Sequence, residues 1–349
     1  MLAASDSKPA SLAYLDIPTP PPGEVARVAD GVHWIRFPLS GDLDHINLWL
    51  IEDGAEFVLI DTGIASAAGR AVWERLEREM LVLRPLRLIG MTHLHADHTG
   101  LAAWLQERHG VPVWTSAETE RQMRELYTAL PDAQIDDRIA FLRAHGMADP
   151  QGLRESLSGE RYRINVSGVP HIAHHPEDGE ETVWNAAPWR WLATPGHAAG
   201  HLCLHAPSRR ILVAGDQILP TISPNVSLTG WGRDPNPIDA YLGSLERLGA
   251  LDPQTLVLPS HGRPFVGLRA RALELCAHHR RHLDQLLEAC REPQSAGEML
   301  KVLYRRALTG FHQYLALGET LAHLEYLAIA GLLVRLSEDR GPVRYVRPR

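Results

Sequence analysis

The run IGMTHLHADHTG, Ile89–Gly100, places three histidines and an aspartate within six consecutive positions. Histidine is a poor helix former and gives a packed core little that leucine would not. The run follows LRLIG, Leu86–Gly90, a short apolar segment that predicts a buried strand. His93, His95 and Asp97 stand at i, i+2 and i+4, so in an extended segment they share one face. His98 follows and can point to a neighbouring position. Such nitrogen and oxygen donors suit Zn²⁺, and also iron or manganese. Four ligands could close one structural site, but the alternation favours two adjacent metals. Any fold for this chain must therefore bring further ligands to the end of this strand.

The rest of the chain predicts α/β layering. GVHWIRFPL (Gly31–Leu39) reads as a strand, and INLWLIEDGAEFVLIDTG as a hairpin turning at Glu52-Asp53-Gly54 and ending at Asp61-Thr62-Gly63. Val72, Leu76 and Met80 give helical spacing over Ala65–Met80, and LAAWLQERHG predicts a helix closed by Gly110. VPVWTS, ETVWN, Trp189–Thr194, His201–Ala206, Arg210–Asp216 and Thr255–Gly262 read as strands, with a helix at Ile238–Leu248. Ala117–His145 is a helical, arginine-rich insertion. Arg121, Arg124, Arg138 and Arg143 could meet an anionic substrate tail or be solvated helix charges. Beyond Pro264 the pattern turns helical: Leu268–Cys290, Ser295–Ala307 and Leu317–Leu333. Two β-prone runs around Ser337–Gly341 complete the plan of a winged helix. The expected organisation is an arm over 1–24, a catalytic domain over 25–265 with its insertion near 117–145, and a C-terminal domain over 266–349.

Metal-capable residues recur at later strand ends beside glycine: His197 in TPGHAAGH, Asp216 in VAGDQ and His261 in LPSHG. Singly, each would pass for a turn residue. In this order, with THLHADH and the earlier LIDTG, they resemble the metallo-β-lactamase fold superfamily over about Val25–Pro264. That resemblance implies an α/β fold, an αββα sandwich of two mixed β-sheets, followed by an all-helical winged-helix C-terminal domain. It implies His93, His95 and His197 on one metal, and Asp97, His98 and His261 on a second. Asp216 would bridge the two, and Asp61 would orient a metal-binding histidine. His201 matches no ligand and is expected to be structural or to line the pocket.

The resemblance further implies two divalent metal ions per chain, zinc first, with iron or manganese as alternatives. A water shared by two cations loses its proton near neutral pH and can attack an electrophilic carbonyl or phosphorus. Asp97 would orient that hydroxide or carry its proton. No GxSxG or P-loop is present, in keeping with a metal-activated water. True β-lactamases of this fold lack the bridging Asp, and flavo-diiron oxidoreductases carry Glu where His95 stands. The pattern is similar to glyoxalase-II-like hydrolases, lactonases and ribonuclease relatives, and with its C-terminal domain to the lactamase-like protein 2 group. The expected reaction is hydrolysis of an ester-like bond, foremost a thioester, in a small or medium acyl substrate. An endoribonuclease or phosphodiesterase, a lactonase, and a mononuclear-iron enzyme of persulfide-dioxygenase type are the alternatives.

A formal net charge of −7 does not advertise a nucleic-acid groove, so nucleic acid ranks behind the acyl substrate as a partner. Cys203, Cys276 and Cys290 have no metal-type spacing and are expected as reduced thiols. The first 24 residues show neither a basic n-region nor an apolar h-region, and no run has the length of a membrane span. A cytoplasmic protein without a membrane partner is expected; a homodimer stays open.

Overall fold

Strand Glu56–Ile60 shows how this sequence builds layers. Phe57 and Leu59 face one side and join a core with Ile35, Phe37, Leu48, Trp73 and Leu105. Val58 and Ile60 face the other side and join Trp34, Trp49, Trp189, Trp191 and Leu204. Apolar residues on both faces mark a strand buried between two layers.

The computed structural model describes residues 12–348 apart from 42, 231, 306 and 338–340. Two seven-stranded sheets form the centre. One runs in the order Val25–Ala29, Val32–Pro38, His45–Asp53, Glu56–Ile60, Leu86–Gly90, Val113–Trp114, Ile172–His174. Its first four strands pair antiparallel and the rest parallel, so the sheet is mixed. The other runs Ala13–Tyr14, Phe265–Val266, Leu256–Pro259, Ile211–Gly215, Leu202–Ala206, Ala187–Ala193, Glu181–Trp184, with one parallel pair at Ile211–Gly215 and Leu256–Pro259.

The sheets meet through a tryptophan-rich interior: Trp34 and Trp49 from one, Trp184, Trp189 and Trp191 from the other. Helices Ala67–Leu76 and Ala102–His109 cover the first sheet's outer face. Helices Pro237–Gly249 and Leu268–Ala289 cover the second's. This is the expected αββα sandwich. Trp191 lies between the sheets with 1% of its surface exposed, and a Cβ on Gly90 would stand 2.9 Å from its ring. Trp191→Ala is therefore expected to destabilise the fold by about 3–5 kcal/mol. The check is a urea midpoint that falls while the slope is unchanged.

Local signals account for most boundaries. The hairpin turns at Gly54, whose φ of 61° suits glycine, and closes on the Asp53–Glu56 pair. Ser66 caps helix Ala67–Leu76 by accepting from the Gly69 amide, so the helix begins two residues after the expected Ala65. It passes into a π-helical turn at Glu77–Leu81. The insertion is two helices, Ala117–Tyr127 and Asp132–Ala144, separated at Pro131, whose ring suits a helix start and not an interior. The second packs against the C-terminal helices through Ile135, Ile139, Leu142, Leu286, Leu317 and Leu321.

The C-terminal helices are Leu268–Ala289, Ala296–Leu303 and Gly310–Ile329. Ser295 and Glu298 form a capping box that starts the second, while the third begins after Thr309 at Gly310, seven residues before the expected Leu317. These helices also carry a three-stranded sheet, Gln294–Ser295, Arg344–Val346 and Val334–Leu336. The expected turn between the last two strands falls partly outside the described residues, as do residues 1–11 of the N-terminal arm. Within that arm, Ala13–Tyr14 adds an edge strand against Phe265–Val266. All three cysteines are buried free thiols, and among the described residues no helix is long and apolar enough to cross a membrane.

Candidate metal centre

Five chain segments deliver polar side chains to one edge of the sandwich. Strand Glu56–Ile60 ends at Asp61 and strand Leu86–Gly90 leads into His93. The turn after Ala187–Ala193 carries His197, the end of Ile211–Gly215 carries Asp216, and the end of Leu256–Pro259 carries His261. Parallel neighbours in an α/β sheet place their carboxyl ends on one edge, where such sites assemble.

All seven expected ligand residues converge, in two sets. His93 Nε2 lies 2.9 Å from His95 Nδ1, which lies 3.1 Å from His197 Nε2. Asp216 Oδ2 is 3.5 Å from His197 Nε2 and 3.9 Å from His93 Nε2. In the second set, Asp97 Oδ2 is 3.8 Å from His98 Nε2 and 3.5 Å from His261 Nε2. Asp216 Oδ1 is 3.5 Å from both of those nitrogens. Donors around a tetrahedral zinc with Zn–N bonds of about 2.0–2.1 Å stand about 3.3 Å apart. Both sets have that spacing. His98 Nε2, His261 Nε2 and Asp216 Oδ1 are buried without a hydrogen-bond partner. Native interiors rarely tolerate three such orphans together unless an ion or water engages them. The residues present therefore fit two cations sharing Asp216.

The expectation that His93, His95 and Asp97 share one extended face is corrected. His95 is extended, with φ −61° and ψ 146°, but it caps a helical turn over Ala96–Thr99. The His98 and Thr99 amides both donate to the His95 carbonyl. Helical residues turn about 100° per step, so Asp97 and His98 leave the direction of His93 and His95 and meet His261 instead.

Four of the five imidazoles, all but that of His95, are oriented from behind. Asp61, 1% exposed, accepts from His98 Nδ1 at 2.7 Å and from the Thr92 amide and hydroxyl at 2.8 Å each. His93 Nδ1 donates to Thr92 Oγ1 at 3.0 Å, His197 Nδ1 to the Asn225 carbonyl at 2.8 Å, and His261 Nδ1 to the His45 carbonyl at 2.8 Å. These bonds engage Nδ1 and turn Nε2 inward, the atom these rings would offer to a metal. Asn47 steadies the His261 turn by donating to the carbonyls of Pro259 and Gly262. His201 contacts the site through the Asp216 backbone: its Nε2 accepts the Asp216 amide at 3.2 Å while Nδ1 pairs with Thr194 Oγ1. A Cβ on Gly215, whose φ is 52°, would stand 2.5 Å from His201 Nε2, so this approach requires glycine.

Electrostatics separate the sets. Burial pushes the His93, His95 and His197 imidazoles down, His95 to about 4, so these nitrogens are neutral donors at pH 7. Burial acts the same way on His98 and His261, but the carboxylates outweigh it: Asp61, Asp216 and Asp97 raise His98, and Asp216 and Asp97 raise His261. Burial would raise Asp97, yet His98 and His261 hold it at about 2. The second set thus favours positive charge at its centre.

Thr92, His45, Asn47 and Asn225 were missed from sequence. Only Thr92, beside the histidine run, stood where a search could have begun. Of the insertion's arginines, Arg121 pairs with Glu118 and Glu125, and Arg124 with Glu120. Arg138 donates to the Leu157 carbonyl and Arg143 is exposed on its helix, so most serve as helix-surface charges.

A family model described as the Metallo-beta-lactamase superfamily matches residues 41–261, the span that holds every residue of both donor sets. The chain belongs to that superfamily. A second model, the Metallo-beta-lactamase-like C-terminal domain, matches residues 283–348. A crystal structure of a beta-lactamase domain protein from Burkholderia ambifaria is 36% identical, with a TM-score of 0.85 over 97% of both chains. The metallo-beta-lactamase family protein TTHA1429 from Thermus thermophilus is 32% identical, with a TM-score of 0.77 over 92% of this chain and 100% of that one. Among curated proteins, the probable metallo-hydrolase YflN of Bacillus subtilis is 29% identical, covering 74% of this chain and 94% of that protein. The human acyl-coenzyme A thioesterase MBLAC2 is also 29% identical, covering 68% of this chain and 80% of that protein. This member of the metallo-β-lactamase superfamily is a metal-dependent hydrolase.

Proposed function

We propose that the chain hydrolyses the thioester bond of an acyl substrate at a centre of two divalent cations, zinc foremost. The observation that carries the binuclear reading is Asp216, whose Oδ2 faces the His93–His95–His197 set and whose Oδ1 faces the Asp97–His98–His261 set. The thioester is supported by the likeness to acyl-coenzyme A thioesterase MBLAC2. When bound, the cations would lower the pKa of a water and polarise the acyl oxygen. Asp97 turns Oδ2 toward His98 and His261, and we assign to its carboxylate the orientation of that water and the acceptance of its proton. Asp61 holds the His98 tautomer. The loop carrying Asn225 and helix Gly310–Ile329 wall the side nearest His197: Asn225 Nδ2 approaches the Leu315 carbonyl, and the Leu228 amide donates to the Gly318 carbonyl.

The test is a substrate panel of acyl-CoA, glutathione thioester, lactone and single-stranded RNA, run on protein whose metals have been counted. About two metals per chain and preferred acyl-CoA turnover are expected. Chelation should abolish turnover and added zinc restore it. Preferred cleavage of RNA or lactone would replace the thioester. A single iron with oxygen uptake on a persulfide would overturn the binuclear hydrolase itself.

A further inference from the structure

A second group of histidines lies where helices Leu268–Ala289 and Gly310–Ile329 pack together. His278, His279 and His282 come from the first helix and His323 and Glu319 from the second. The inner pair is committed. His323 Nδ1 lies 2.7 Å from the Glu319 carbonyl, which can only accept, so Nδ1 donates. His323 Nε2 is then bare and accepts from His279 Nδ1 at 3.0 Å. Both rings are fully buried and this chain of bonds fixes them.

The outer residues are arranged differently. His278 and His282 stand at i and i+4, so their rings leave one face of the helix. Their centroids are 4.2 Å apart, comparable with the 4.7 Å of His93 and His95 in the catalytic centre. Glu319 reaches them from the facing helix, and one donor atom from each of the three lies within 4.8 Å of the others. His282 Nδ1 is buried without a hydrogen-bond partner. Glu319 Oε2 accepts from Tyr304 at 2.8 Å and is 3.5 Å from Asn225 Nδ2. No arginine or lysine is among these contacts, and burial pushes the Glu319 carboxyl up to about 7. Burial and neighbouring histidines push His282 down to about 3, leaving a neutral donor. A cation set among these three residues would engage the unsatisfied nitrogen and compensate the carboxylate.

We propose that His278, His282 and Glu319 form a further site for a borderline divalent cation of the zinc class, separate from the catalytic centre. Two imidazoles and a carboxylate leave coordination positions open for water or for an anionic group of a bound molecule. The site is joined to the catalytic centre by one residue. Asn225 holds His197 Nδ1 through its carbonyl and approaches Glu319 through its amide.

The full chain, stripped with a chelator and desalted, is titrated with Zn²⁺, and tightly bound metal is counted beside His282→Ala and Glu319→Gln. Co²⁺ titrations followed by absorbance give a second readout. One equivalent fewer is expected in each variant, with loss of one Co²⁺ spectral component. Glu319→Gln preserves shape, so it tests the site even if His282→Ala folds poorly. Equal counts in wild type and either folded variant would overturn the proposal. The difference between proteins tests this site, whereas the equivalents remaining in the variants test the catalytic pair.

Discussion

Asp216→Asn should lower kcat/KM by at least about 10³-fold, a loss of about 4 kcal/mol in transition-state stabilisation. The substitution keeps the side chain's size but leaves one oxygen where two are required. Oδ2 faces His93 and His197 of one set, and Oδ1 faces His98 and His261 of the other. An amide can offer its oxygen to one set only, and its NH₂ group then points at the other. It also removes the negative charge that draws a cation to both. Bound metal should therefore fall together with turnover. The fold should persist, because the backbone amide of residue 216 still donates to His201 Nε2, and far-UV circular dichroism should be unchanged. Turnover within tenfold of wild type would show that Asp216 does not hold the centre together.

The layers were legible because they follow hydrophobic periodicity. Phe57-Val58-Leu59-Ile60 and the hairpin at Asp53-Gly54 declare a buried strand and its turn without help from the rest of the chain. Strands of two or three residues, such as Ala13–Tyr14 and Ile172–His174, are too short to show a period; their place depends on partners distant in sequence. The donor residues were legible by type, since His and Asp beside Gly at strand ends are chemically distinctive. Their geometry was less so. The amides of His98 and Thr99 closing on the His95 carbonyl decide which set Asp97 joins, and an HxHxDH string does not display that turn. His197 and His261 are oriented by the backbone carbonyls of Asn225 and His45. A carbonyl belongs to every residue and leaves no mark on residue type, so these positioning contacts had no sequence signal.

Asp61 offers a sharper test, because it acts on the centre only through another residue. Its φ of 61° is in the left-handed region, which asparagine tolerates better than most residues. Asp61→Asn should thus retain the backbone and change only charge and hydrogen bonding. The native carboxylate accepts from the Thr92 amide, the Thr92 hydroxyl and His98 Nδ1. An amide oxygen can serve two of these at most, and its NH₂ group then opposes the third donor. If the opposed donor is His98, its proton is favoured on Nε2, the atom that faces Asp97 and Asp216. Metal affinity of the second set is expected to fall about 10–100-fold. The poorly satisfied donor should also cost about 1–3 kcal/mol of stability. Competition with a chromophoric chelator measures the first effect and urea unfolding the second. Because every direct ligand remains, excess zinc should restore turnover in Asp61→Asn but not in Asp216→Asn. A competition curve that superimposes on wild type would mean that His98 keeps its tautomer without Asp61.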